Sequence, residues 1–176
     1  MSRKQRPGRP ANAVCCFIVK SHSKADYVRF LAQAFRKDVR VKTCDDEVGG
    51  SVLEKAKDIV SKHADYYSEY VVWLDKEEYL PHRDKPLENG FESGKEKVGV
   101  YVVLPCFENW LLAHFRKSMP KDAKPDSCEK ELRKHIPEYE IGGFHALGEF
   151  IDKKGIRQAA ANHPEIGKMI RIYFGI

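Results

Sequence analysis

The stretch Tyr70-Val-Val-Trp-Leu-Asp75-Lys-Glu77-Glu78 decides how the chain is read. Five apolar, strand-favouring residues follow one another with no polar alternation, which is the pattern of a strand covered on both faces. The run then passes straight into an acidic cluster, so the acids sit at a strand's carboxyl end. Two further runs have the same character: VCCFIVK at 14–20 and VGVYVVL at 98–104. Three such strands predict an α/β protein with a mostly parallel sheet flanked by helices, a Rossmann-like arrangement. In such sheets ligands bind outside the carboxyl ends of the strands, where Asp75 and Glu77 fall.

The segments between the strands fit that architecture. Residues 23–35 carry Tyr27, Phe30, Leu31, Ala34 and Phe35 at helical spacing, with Ser23 as N-cap and Asp26 in the capping-box position. Residues 39–43 (VRVKT) alternate, as a half-buried or edge strand does. A second helix is predicted over 51–64, its apolar face including Val52, Leu53, Ala56 and Val60. Residues 79–97 hold two prolines, two glycines and many charges and read as a long loop. Pro105 opens a helix containing Phe107, Trp110, Leu111, His114 and Phe115; after a linker at 120–125, residues 126–135 and 143–174 read as short helices. At the start, Arg3, Lys4, Arg6 and Arg9 stand among prolines and a glycine with nothing to bury. The expected layout is a flexible basic arm over 1–12 and one α/β domain over 13–176, ending in a helical segment.

Composition narrows the function. The chain has 176 residues, 42% apolar and 32% charged, enough for one hydrophobic core. No apolar run approaches the roughly 20 residues that span a bilayer, and no signal-peptide core follows the basic start, so a cytoplasmic protein without membrane contact is expected. Five cysteines without a C-x-x-C pair predict free thiols in a reducing compartment, and seven scattered histidines give no zinc spacing. The P-loop, the G-x-S-x-G elbow and the H-E-x-x-H helix are absent. A net charge of +5 permits a polyanionic partner.

The chemistry left is acidic. Asp75 and Glu77, two apart at a strand end, would reach one hard cation such as Mg²⁺ from the same side, with Glu78 as a spare; the alternative is that the strand ends in solvated charges. Glu108, just past the next strand, is delivered to the same rim, though a glutamate in a helix's first turn is favourable with no ligand at all. Trp110 and His114, four apart on a helix, read as core residues, His114 with a rim position as the alternative.

The strings Val-Val-Trp-Leu-Asp75-Lys-Glu77-Glu-Tyr, Leu-Pro-Cys-Phe107-Glu108-Asn-Trp110-Leu-Leu-Ala-His114-Phe115 and Lys154-Gly-Ile-Arg-Gln-Ala-Ala-Ala-Asn162 together resemble the RloB-like proteins of the TOPRIM superfamily, which occur with restriction and abortive-infection loci. The resemblance runs from about residue 14 to 165. It implies a TOPRIM-type fold and a Mg²⁺ (or Mn²⁺) site for phosphodiester chemistry, held by Asp75 and Glu77 and completed by a glutamate after the first strand. At that last position this chain carries Ser21. Asp26 lies one helical turn on, and Glu108 is the other carboxylate that could complete the set. Three functions stay open on this reading. One is a Mg²⁺-dependent nuclease in an antiphage defence system, with Asp75, Glu77 and Glu108 as catalytic and metal-binding residues. Another is a nucleic-acid-binding module without catalysis, using Arg3, Lys4, Arg6 and Arg9 as an electrostatic arm. The third is a subunit that docks a partner ATPase.

Overall fold

The computed structural model describes residues 14–44, 49–140 and 147–176. The arm expected at 1–12, and with it Arg3, Lys4, Arg6 and Arg9, lies outside the described residues. Four strands, β1 (Cys15–Val19), β2 (Val39–Thr43), β3 (Glu69–Asp75) and β4 (Lys97–Val103), form one sheet in the order β2-β1-β3-β4, parallel throughout. The three continuous apolar runs are thus neighbours, and the alternating Val39–Thr43 segment is an edge strand.

Side chains from the sheet's two faces enter two separate cores. Phe17, Val19, Val71, Trp73 and Val103 pack on one face with α1 (His22–Phe35), α4 (Phe107–Ala113), α7 (Lys153–Asn162) and α8 (Pro164–Phe174). Cys16, Ile18, Tyr70, Val72 and Leu74 pack on the other with α2 (Val52–His63) and α3 (Pro81–Glu92). This explains why neither β1 nor β3 alternates: both sets of side chains are buried. Two short helices, α5 (Pro125–Leu132) and α6 (Leu147–Phe150), complete the helical C-terminal segment. Among the described residues no helix is long and apolar enough to cross a membrane.

Three local expectations are corrected. Helix α1 begins at His22 with Ser21, not Ser23, as N-cap: Ser21 Oγ accepts from the Lys24 amide at 3.2 Å, while Ser23 is buried. Residues 79–97 are mostly helix, α3, despite Pro86 in its interior. Pro81 sits in the first turn, where no amide is needed, and the fully buried Asp84 carboxylate turns back to accept from the Leu80 amide at 2.7 Å and from Arg83. The third helix expected from Pro105 starts at Phe107.

Topology positions the site. From β1 the chain leaves to β2 by way of α1 on one face, and from β3 it leaves to β4 by way of α3 on the other. The carboxyl ends of β1 and β3 are therefore a switch point, where the outgoing connections part and leave a crevice.

Candidate functional site

Strand β3 runs two residues past the end of β1, because Val19 pairs with Trp73 and β3 ends at Asp75. Counted along that register, Ser21 lies level with Asp75 across the crevice. A cleft of about 390 Å³ opens there, and its lining includes Ser21, Asp75, Glu77, Glu78 and Glu108. The three carboxylates expected from sequence thus reach one cleft, but they are not equivalent in it.

Residues 76–78 form a 3₁₀ turn, so the strand-end geometry that would align Asp75 with Glu77 is lost. Glu77 is exposed. Glu78, one residue on, is brought back over the strand end: its Oε2 accepts from the Asp75 amide at 2.7 Å. The same oxygen accepts from Lys24 Nζ at 2.8 Å, and Lys24 Nζ lies 3.1 Å from Asp75 Oδ2. Lys24 is completely buried, so an ammonium group stands between two carboxylates at the head of the crevice. Glu108, in the first turn of α4, accepts from the Tyr139 hydroxyl at 2.6 Å. Tyr139 is fully buried and links this corner to the tail after α5.

The electrostatics follow from one cation shared by two anions. Burial alone would lower the Lys24 pKa, but the Asp75 and Glu78 carboxylates outweigh it and hold the ammonium charged above its ordinary value. Asp75 moves the other way from a normal carboxylate: burial pushes it up, Lys24 pulls it down, and Glu78 and Glu108 push it up again. With both carboxylates ionised, Lys24 would leave one negative charge uncompensated, and burial of that excess favours a proton on Asp75, whose pKa is raised to about 7. Asp75 Oδ1 is buried and has no hydrogen-bond partner among the described residues.

Sequence reasoning missed Lys24 and Tyr139. Lys24 carries a readable signal, for it heads the apolar stripe that continues through Tyr27, Val28 and Leu31. A lysine at that position must bury its ammonium or leave the core. Tyr139, in a short segment without periodicity, carries none.

As they stand, these side chains do not fit a divalent cation. The position between Asp75 and Glu78 is taken by Lys24, Ser21 Oγ serves the helix cap instead of supplying a charge, and no three His, Cys, Asp or Glu side chains among the described residues converge as ligands. His114 plays no part in the rim. Its Nδ1 donates to the Trp110 and Leu111 carbonyls at 3.0 and 3.1 Å, its Nε2 accepts from the Tyr27 hydroxyl at 2.9 Å, and burial lowers its pKa to about 4. It is a satisfied, neutral core histidine, and Trp110 beside it is fully buried.

In comparisons with known proteins, no curated protein and no solved structure matches the chain. One family model, described as RloB-like protein, matches residues 19–168, a span that holds the crevice, Lys24, the acidic rim, α1, α4, α7 and the first turn of α8. On that match the chain belongs to the RloB-like family.

Proposed function

We propose that this RloB-like chain binds nucleic acid without hydrolysing it, with Lys24 supplying from within the chain the positive charge that a divalent cation would bring to the rim. The observation that carries the reading is the Lys24 ammonium, fully buried and in contact with both Asp75 and Glu78. An ammonium neutralises and orients carboxylates, but it has no open coordination position to offer a scissile phosphate or a nucleophilic water. A net charge of +5 and the cations Arg3, Lys4, Arg6 and Arg9 support the nucleic-acid half of the reading.

Incubation of the full chain with single- and double-stranded DNA and RNA in Mg²⁺ or Mn²⁺ tests it. The expected result is intact strands together with binding that weakens as salt rises, and weaker binding when residues 2–10 are deleted. One observation favours the second reading, a metal-dependent nuclease: Asp75 Oδ1 is a buried acceptor with no donor among the described residues. Metal-dependent cleavage that Asp75→Asn abolishes would establish that reading instead. Ser21→Glu sets a carboxylate level with Asp75. Cleavage gained by that variant would mean that a single substitution had disabled the site.

A further inference from the structure

A second cavity, of about 310 Å³, lies beside the acidic crevice at the same end of the sheet. Its floor is apolar, built from Val102 and Leu104 at the end of β4, Ala113 of α4, Met119 and Ile166. Its rim is basic: Arg116, Lys117 and Lys121 from the segment after α4 face it, against one lining carboxylate, Glu165. The segment is held in place. The Asn109 side chain donates to the Leu104 carbonyl at 2.9 Å and accepts from the Met119 amide at 2.6 Å, while Lys76 Nζ reaches the Lys121 carbonyl at 3.3 Å and ties the segment to the turn after β3. Neither the Lys117 nor the Lys121 ammonium has an ion-pair partner among the described residues. Arg116 adopts a left-handed backbone at φ 59°, where glycine would be unstrained, and its Nε donates to Gln158 at 3.0 Å.

We infer that this cavity takes one nucleotide of a single strand, with the base on the apolar floor and the flanking phosphates on Lys117, Lys121 and the free end of the Arg116 guanidinium. An apolar concavity with a few convergent polar groups is the usual form of a small-ligand site, and its volume lies at the lower end of such sites. A base still stacked and paired in a duplex cannot enter so small a space, so the site selects unpaired strand. A basic groove that tracks the backbone beside a surface that takes the base is the arrangement by which single strands are held without sequence readout; here an aliphatic floor stands where such sites usually carry aromatic rings. This inference rests on the nucleic-acid-binding reading above and adds where the strand lies and in what form it is recognised.

Fluorescence anisotropy with the full chain tests it, using a labelled single strand, the same sequence as a blunt duplex, and a free 5′-mononucleotide as competitor across a salt series. The expected result is preference for the single strand. Lys117→Gln with Lys121→Gln should weaken strand binding at least about tenfold and reduce the slope of log affinity against log salt by about 1.4, since each contact to a single strand contributes about 0.7. Arg116→Gly should weaken binding with little change in melting temperature, because the strain relieved at φ 59° is offset by the lost hydrogen bond to Gln158. If the unaltered chain binds single strands and both variants bind them equally well, the cavity is not the site, although the reading of nucleic-acid binding survives. Equal affinity for the duplex overturns the single-strand assignment, and competition by the mononucleotide at the strand's own affinity makes the ligand a free nucleotide. If the unaltered chain binds no nucleic acid, that reading falls and takes this inference with it.

Discussion

At the scale of single residues, the chain is governed by two buried bases with opposite fates. Lys24 is charged and paired, and removing one partner of a buried ion pair costs about 3–5 kcal/mol because the remaining charges lose their compensation. Lys24→Ala should therefore lower the melting temperature severely, and Mn²⁺ should restore part of the loss by taking the vacated position. The combination of Lys24→Met with Asp75→Asn and Glu78→Gln should melt well above Lys24→Ala and ignore the metal. His114 is neutral and satisfied, its pKa lowered from 6.5 to about 4. Below pH ~6.5 the unfolded chain takes up a proton that the folded ring refuses. Stability then declines as pH falls toward 4, by up to about 3 kcal/mol from this group. Asp75, raised to about 7, acts in the opposite sense over this range, so the His114 contribution is read by comparison: from pH 7 to pH 4, His114→Gln should lose less stability, or gain more, than the unaltered chain. His114 could be placed in the core from sequence, because Trp110 lies one turn before it in an apolar run. Lys24 is hard to place from sequence because charge ordinarily means exposure, although its position on the stripe with Tyr27 and Leu31 points inward.

At the scale of elements, continuous apolar runs were the legible part. β1, β3 and β4 could be bounded to within a residue or two because burial on both faces leaves no room for polar alternation. α3 was not legible, since Pro86 and Gly90 count against a helix when only local preference is weighed. The missing information was tertiary: Asp84 is fully buried and satisfies the Leu80 amide and the Arg83 guanidinium at the helix's start. Asp84→Ala leaves those donors without a partner, which costs about 1–3 kcal/mol. Hydrogen exchange should register the change as faster exchange across Pro81–Glu92, with β1 and β3 little affected. Uniform acceleration through the sheet would mean that α3 does not open separately. The 3₁₀ turn after Asp75 was the other hidden element, and it exchanged Glu77 for Glu78 as the partner of Asp75.

At the scale of the whole molecule, the helical tail closes the larger core and brings the cavity wall against the end of β4. α7 and α8 approach so closely that a Cβ on Gly167 would overlap the Ala160 carbonyl group. Gly167→Ala forces the two helices apart and should cost about 1–3 kcal/mol, more if the backbone resists, read as a drop in melting temperature. The sheet order and the switch point were implicit in three parallel apolar strands, and so was the crevice at their carboxyl ends. What fills the crevice was not, because Lys24 and Tyr139 reach it from α1 and from the tail, and only their packing brings them there. Lys24 is proposed to hold the place of a metal ion at this rim. Melting the unaltered full chain with and without Mn²⁺, at millimolar-order concentrations that would fill a weak carboxylate site, tests it most directly. The expected result is the same melting temperature in both; a rise with Mn²⁺ that Asp75→Asn abolishes would overturn the proposed role of Lys24.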